Sequence, residues 1–242
     1  MTFGYIYSKD GEITGEQTVL RYSAFDTWLK SKSSYREKYY LGKSFTTPET
    51  VFGHEMHNFM ETASKHRKHP ILKNAPRYDV PEKDITCTIG DVKIGGRIDS
   101  FCPELCAMID YKFGHRSKDG KAPWDTVKVH KHRQLVFYSI LIEEKFKKVD
   151  RWPRLVWVET EFEKETVEFD GHTLETDARR KLRLTGHVEV FKRLVTKEER
   201  NRMRKQIEEV AKEIAEDFNN YKNEHEPRRY QQSNEPLRQD VT

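Results

Sequence analysis

The stretch Ala107-Met108-Ile109-Asp110-Tyr111-Lys112 constrains this chain more than any other. Its apolar start marks a strand buried in a sheet, and charge arrives only at its end. Alternate side chains of a strand share a face, so Asp110 and Lys112 project together while Tyr111 projects away. Upstream, Asp99 closes the run Gly95-Gly96-Arg97-Ile98-Asp99. Between the two, Ser100-Phe101-Cys102-Pro103-Glu104-Leu105 reads as strand end and then turn, which folds the chain into a hairpin and brings Asp99 beside Asp110. A carboxylate at the end of a buried strand is costly unless it is paired or metal-bound. Two of them together repel unless a cation stands between, and hard oxygen ligands select Mg²⁺ or Mn²⁺. A neighbouring lysine steers a water or steadies charge on a phosphate. The chemistry implied is metal-assisted phosphodiester hydrolysis. The competing reading is a solvated hairpin face, since 35% of the residues are charged.

The chain has 242 residues, enough for one domain with a real core. No apolar run is long enough to cross a bilayer, and Met1 to Gly11 lacks the basic-then-apolar order of a signal peptide. Cys87, Cys102 and Cys106 are an odd number without a Cys-x-x-Cys spacing, which fits reduced thiols. The expectation is a cytoplasmic protein, with no membrane among its partners. A net charge of +4 does not by itself announce a nucleic-acid binder. Local clusters are more telling: Lys65 to His69, Lys128 to Arg133, and Arg179-Arg180-Lys181 with Arg183. Each reads either as a solvated face or as a phosphate contact.

Ser23-Ala24-Phe25-Asp26 has the form of a helix-start capping box, with helix expected to about Tyr40. Thr47-Pro48-Glu49 is a second start signal, followed by Phe52, Met56, Phe59, Met60 and Ala63 at helical spacing to about Lys68. Strands alternate on either side of Gly90-Asp91, a hairpin signal, and the strands carrying Asp99 and Asp110 come next. Gly114 to Asp125 is a polar loop, and Val127 to Phe146 is expected as one long helix. Arg154 to Thr160, Glu165 to Phe169 and Val188 to Val195 read as strands. A charged helix starts at Thr196 and reaches about Tyr221. Residues 1–221 are expected as a single domain with its core at about 48–160, and 222–242 as a polar, disordered tail.

Four separated pieces resemble the PD-(D/E)XK nuclease superfamily, and more specifically its RecB-like branch. They are Gly53-His54-Glu55-Met56-His57 (a Gly-x-x-x-His helix motif), Gly96-Arg97-Ile98-Asp99, Ile109-Asp110-Tyr111-Lys112, and Gln134-Leu135-Val136-Phe137-Tyr138 (a Gln-x-x-x-Tyr motif). Order and spacing carry the resemblance, which covers roughly Phe52 to Thr160. It implies an α/β, restriction-endonuclease-like core of order αβββαβ, a mixed central sheet flanked by helices, with additional N- and C-terminal helices. It implies that Asp99, Asp110 and the Tyr111 backbone carbonyl hold one or two Mg²⁺ or Mn²⁺ ions. His57 adds an imidazole, His54 on the same helix being the alternative, and Glu61 is either an acceptor for His57 or a surface acid. Lys112 orients the water or stabilises developing charge, Gln134 counts with the catalytic residues, and Gln134 and Tyr138 together brace the site and approach the DNA strand. Arg97, Lys128, Lys131 and Arg133 complete the expected nucleic-acid contacts. Three cysteines cannot supply the four-cysteine iron–sulfur cluster of some RecB-like nucleases. No Gly-x-x-x-x-Gly-Lys-Ser/Thr loop is present for ATP.

The function expected is a stand-alone, divalent-metal-dependent DNA nuclease, an exonuclease of recombination, repair or processing, similar to compact forms of bacteriophage genomes acting in a bacterial host. The alternatives are a structure-specific endonuclease on the same core, a non-catalytic nucleic-acid-binding protein, and an interaction module of a recombination or replication complex that docks through the C-terminal helix or tail.

Overall fold

The computed structural model describes residues 1–43, 46–169 and 172–232. The chain divides into two compact units, one of Ser44–Thr88 with Ile94–Arg204, the other of Met1–Lys43, Ile89–Lys93 and the chain from Lys205 on. In chain order the strands are β1 (Tyr5–Tyr7), β2 (Ile13–Glu16), β3 (Leu20–Arg21), β4 (Val80–Ile89), β5 (Val92–Cys102), β6 (Ala107–Gly114), β7 (Arg154–Phe169) and β8 (His172–Lys192). The α-helices are α1 (Tyr22–Lys30), α2 (Lys32–Tyr39), α3 (Pro48–Glu61), α4 (Ala63–Lys68), α5 (Thr126–His130), α6 (Arg133–Phe146) and α7 (Lys197–Gln232).

The larger unit is a mixed α/β fold around one sheet. β4 pairs with β5, β5 pairs antiparallel with β6, β6 pairs parallel with β7, and β7 pairs antiparallel with β8. A parallel β6–β7 pair needs a crossover, and α5 and α6 supply it. α3 starts as its sequence dictates: Thr47 accepts from the Thr50 N–H at 3.2 Å, Pro48 takes the first helical position, and Glu49 lies in the first turn. Met56 and Met60 of α3 then pack with Ile109, Tyr111, Val156 and Val158, the apolar face of β6 and β7. α6 is buried along Leu135–Ile142, as expected for a helix covered on all sides. Asp150 lies behind β6, where it accepts from the Met108 N–H at 2.8 Å and the Trp152 N–H at 2.9 Å. Burial holds the Asp150 carboxyl above the usual range against these donors.

The smaller unit packs α1 and α2 with the later part of α7. The Trp28 indole N–H donates to Glu213 at 3.1 Å, Arg36 pairs with Asp217, and the Tyr40 ring lies 4.9 Å from that of Phe218.

Several boundaries differ from expectation. α1 begins at Tyr22 with Arg21 as an N-cap that makes no side-chain bond, so Ser23 lies inside the helix rather than capping it. The helix expected over Val127–Phe146 is two helices. Lys131 and His132 separate them, and His132 has ψ 105, outside the helical range. The strand pieces expected between Arg154 and Val195 are one long hairpin of β7 and β8. α7 continues past Tyr221 to Gln232, and residues 233–242 of the expected tail lie outside the described residues.

Candidate active site

The β5–β6 ladder pairs Cys102 with Ala107, Phe101 with Met108 and Ser100 with Ile109. Asp99 and Asp110 come next in that register, where the regular ladder ends. The Asp99 carboxylate takes over from the backbone there, accepting from the Tyr111 N–H at 2.7 Å. This bond fixes one oxygen of Asp99 against the strand that carries Asp110. Tyr111 itself turns to the α3 face, where its hydroxyl donates to the Pro76 carbonyl at 2.6 Å.

Asp110 is 1% exposed, and its charge is met by Lys112 two residues along the same face. Lys112 Nζ lies 3.1 Å from Oδ1 and 2.9 Å from Oδ2. Burial alone would raise the Asp110 pKa, but Lys112 and then His132 outweigh it and hold the carboxyl below its usual range. Burial likewise works against the Lys112 ammonium, and Asp110 and Asp99 more than restore it. Both groups are therefore charged at neutral pH.

Lys112 is braced from α6. Its Nζ donates to Gln134 Oε1 at 3.0 Å, and Gln134 Nε2 donates to the Tyr138 hydroxyl at 2.9 Å. Residues four apart on a helix face one another, so the Gln-x-x-x-Tyr spacing produces this relay directly. With the ammonium donating to one end of the amide and the phenol accepting from the other, Gln134 has one orientation that satisfies both. Tyr138 in turn needs space on β5, and Gly96 provides it. A Cβ at Gly96 would stand 2.7 Å from Tyr138 Cε1 and 2.9 Å from Leu141 Cδ1.

On the α3 side, His57 Nδ1 lies 3.7 Å from Asp99 Oδ1, and its ring meets Phe113 edge-on at 5.3 Å. Burial first, then Lys112, pushes the His57 pKa down to about 4, so the imidazole is neutral with a lone pair at physiological pH. His54 is exposed. The geometry therefore places His57, rather than His54, beside the two acids.

Sequence reasoning passed over His132. Nothing in Asp125-Thr126-Val127-Lys128-Val129-His130-Lys131-His132 announces a helix break, since neither proline nor glycine is present. Read as part of a basic run, His132 would be a surface charge. The break instead turns its ring inward, with Nε2 3.7 Å from Asp110 Oδ2 and the ring edge-on to Trp124 at 4.9 Å.

The expected nucleic-acid contacts do not share one helix. Lys128 sits on α5, and its Nζ donates to the Ala122 and Pro123 carbonyls at 3.4 and 3.0 Å. Lys131 is exposed in the break, and Arg133 is the first residue of α6. Arg97 is exposed and pairs with Asp84 at 3.5 Å. Arg179 and Arg180 lie on β8, and their side chains fall outside what is described.

The model of the PD-(D/E)XK nuclease superfamily matches residues 27–230, most of the chain. The chain belongs to the PD-(D/E)XK nuclease superfamily. A search of curated proteins finds no match. Among solved structures, the one titled "Crystal structure of SSO0001" is similar at 16% identity over 82% of this chain and 77% of that one, with a TM-score of 0.42. Nucleases of the PD-(D/E)XK superfamily generally use divalent metals such as Mg²⁺. Among the described residues, no three His, Cys, Asp or Glu side chains stand together as a complete ion shell. The Lys112 ammonium lies against the Asp110 carboxylate. The donors present still suit a hard cation. Asp110 is buried and ionised beside the Lys112 ammonium, Asp99 is fixed through one oxygen, and His57 is neutral.

Proposed function

We propose that this PD-(D/E)XK protein is a divalent-metal-dependent deoxyribonuclease of the RecB-like type, acting as an exonuclease on strand ends. The observation that carries the reading is the relay Asp110–Lys112–Gln134–Tyr138, set next to Asp99 on the neighbouring strand. Asp99, Asp110 and the Tyr111 carbonyl would hold Mg²⁺ or Mn²⁺, with His57 as a nitrogen donor that suits Mn²⁺. The ion, when bound, supplies charge neutralisation on the phosphate and a lowered water pKa.

The chain's own part follows from the geometry. Asp110 keeps Lys112 protonated, and Gln134 keeps it aimed. As an anionic phosphate enters, the ammonium exchanges part of its pairing with Asp110 for the phosphate oxygen. It steadies charge there or orients the attacking water. Tyr138, pressed against Gly96, prevents Gln134 from following the ammonium away. Lys131 and Arg97, both exposed, would meet the phosphate backbone. A partner in recombination or replication would dock through α7. No helix among the described residues is long and apolar enough to cross a membrane.

The test is incubation with end-labelled linear DNA and covalently closed circular DNA in Mg²⁺, Mn²⁺ or EDTA. Release of short products from linear DNA alone, blocked by EDTA, is the expected result. Cutting of closed circles would make the enzyme an endonuclease, and cleavage in EDTA would end the metal-dependent reading.

A further inference from the structure

We infer that His132 is a positioning residue for Asp110: its Nε2–H donates to Asp110 Oδ2 once Lys112 turns toward a phosphate, and this keeps the carboxylate aimed at the cation. The inference rests on the nuclease reading above and adds a residue that no part of the Gly-x-x-x-His, Gly-x-x-Asp, Asp-x-Lys or Gln-x-x-x-Tyr pattern contains.

Two buried polar atoms carry it. Asp110 Oδ2 and His132 Nε2 are each shielded from solvent and face one another across 3.7 Å; Oδ2 is met by the Lys112 ammonium at 2.9 Å, while His132 Nε2 makes no hydrogen bond. That separation is nearly 1 Å too long for a hydrogen bond, and leaving a buried imidazole nitrogen unsatisfied is costly. One small carboxylate rotation would satisfy it. What prevents it is Lys112, which holds Oδ1 by a hydrogen bond at 3.1 Å and stands 2.9 Å from Oδ2.

His132 is held firmly enough to act as a fixed donor. Its backbone N–H donates to the Val129 carbonyl at 3.0 Å, and its own carbonyl accepts from Arg193 Nη1 at 3.0 Å. Arg193 is tied in turn to Glu199 at 2.7 Å, and the Trp124 ring meets the imidazole edge-on. The helix break between α5 and α6 thus becomes intelligible: a continuous helix would carry residue 132 past the carboxylate, and the break turns it in. When Lys112 leaves for the phosphate, Asp110 would otherwise lose the ammonium that pairs with it and become free to rotate. A donor waiting on the Oδ2 side would then hold the carboxylate in place for an ion. Partners of this kind behind a metal-binding group typically change metal affinity by about 10- to 100-fold.

The test compares His132→Leu, which removes the donor, with His132→Gln, whose amide nitrogen can stand near Nε2. Calorimetric titration of metal-free protein with Mn²⁺ is expected to show about tenfold weaker binding in His132→Leu and recovery to within about threefold in His132→Gln. Nitrogen NMR of the wild-type imidazole is expected to show the proton on Nε2. Unchanged affinity in His132→Leu overturns the assignment, as does equal loss in both variants, or a proton on Nδ1 alone. Wild-type protein that binds no Mn²⁺ overturns the nuclease reading and this one together, whereas normal wild-type binding with an unaffected His132→Leu overturns this one alone.

Discussion

Gly96 on β5 and Tyr138 on α6 approach so closely that a methyl group at residue 96 would stand 2.7 Å from the Tyr138 ring. The glycine that opens the Gly96-Arg97-Ile98-Asp99 motif is thus a packing requirement of a helix more than forty residues away. Gly96→Ala should force the ring outward and cost about 1–3 kcal/mol of stability, in the way overpacked cores do. Because Tyr138 anchors Gln134, cleavage should fall further than stability alone explains. Tyr138→Phe separates the two effects: it removes the hydroxyl but keeps the packing, so its denaturant midpoint should stay near wild type while its cleavage rate drops. A Tyr138→Phe protein with full activity would show that the relay ends at Gln134.

Removing either partner of the Asp110–Lys112 pair should abolish cleavage, but the stability costs should differ. Lys112→Ala strands a carboxylate that is 1% exposed, with an expected cost of about 1–3 kcal/mol at pH 7. Asp110→Asn leaves an ammonium that is 27% exposed and reachable by water, so it should cost less. The pH dependence inverts as well. In wild type the lowered Asp110 pKa contributes stability that is present above the unfolded value of 3.8 and is lost as pH falls through the folded one. In Lys112→Ala, burial without the ammonium raises that pKa, so the deficit should shrink as pH falls from 7 to 5. Urea unfolding in EDTA at the two pH values measures this, and a deficit independent of pH would contradict it.

His57 should give the metal-free protein a second pH dependence. Its imidazole takes a proton near 6.5 when unfolded and near 4 when folded. Stability from keeping it neutral is therefore complete above pH 6.5 and is lost progressively down to about 4, with roughly 3 kcal/mol as the ceiling. His57→Phe should flatten the stability curve across that window. A parallel curve for the variant would show that His57 is not held neutral.

DNA affinity should depend on salt through Lys131 more than Lys128. Each duplex phosphate neutralised contributes a log–log slope of about −0.9, and each single-strand phosphate about −0.7. Lys128 spends its ammonium on the Ala122 and Pro123 carbonyls, whereas Lys131 is exposed between the two helices. Lys131→Ala should flatten the slope by about one unit, and Lys128→Ala by less. Binding to the Asp110→Asn protein in Ca²⁺ across a salt series reads both slopes, and equal slopes in all three proteins would remove the basic run from the DNA interface.

What the sequence disclosed was whatever depends on near neighbours. Thr47 and Pro48 start α3 by local capping, the Gly90 turn has the positive φ that glycine tolerates, and the four-residue spacing of Gln134 and Tyr138 makes their bond. The mixed sheet is expected only through the resemblance that the four motifs carry, and the β6–β7 pair is parallel. His132 is hidden because its break has no proline or glycine, and the contacts that hold it, with Arg193 and Trp124 among them, leave no local signature. The β7–β8 hairpin reads as separate pieces in the sequence because Glu161, Glu163 and Lys164 interrupt the apolar alternation. Backbone pairing carries the strands through those charges without a buried face to mark them.

The interrupted chain path of the smaller unit sets an order of events during synthesis. Trp28, Arg36 and Tyr40 are made early, yet their partners Glu213, Asp217 and Phe218 come after the whole of the larger unit. At about 5–20 residues per second, the separation of 181 residues between Arg36 and Asp217 leaves these faces waiting for about 9–36 s. The active-site residues, all earlier than Lys205, can assemble in that interval. α1 and α2 therefore leave the ribosome long before the helix that covers them, and a chain stalled before α7 would present Trp28 and Tyr40 to chaperones and proteases.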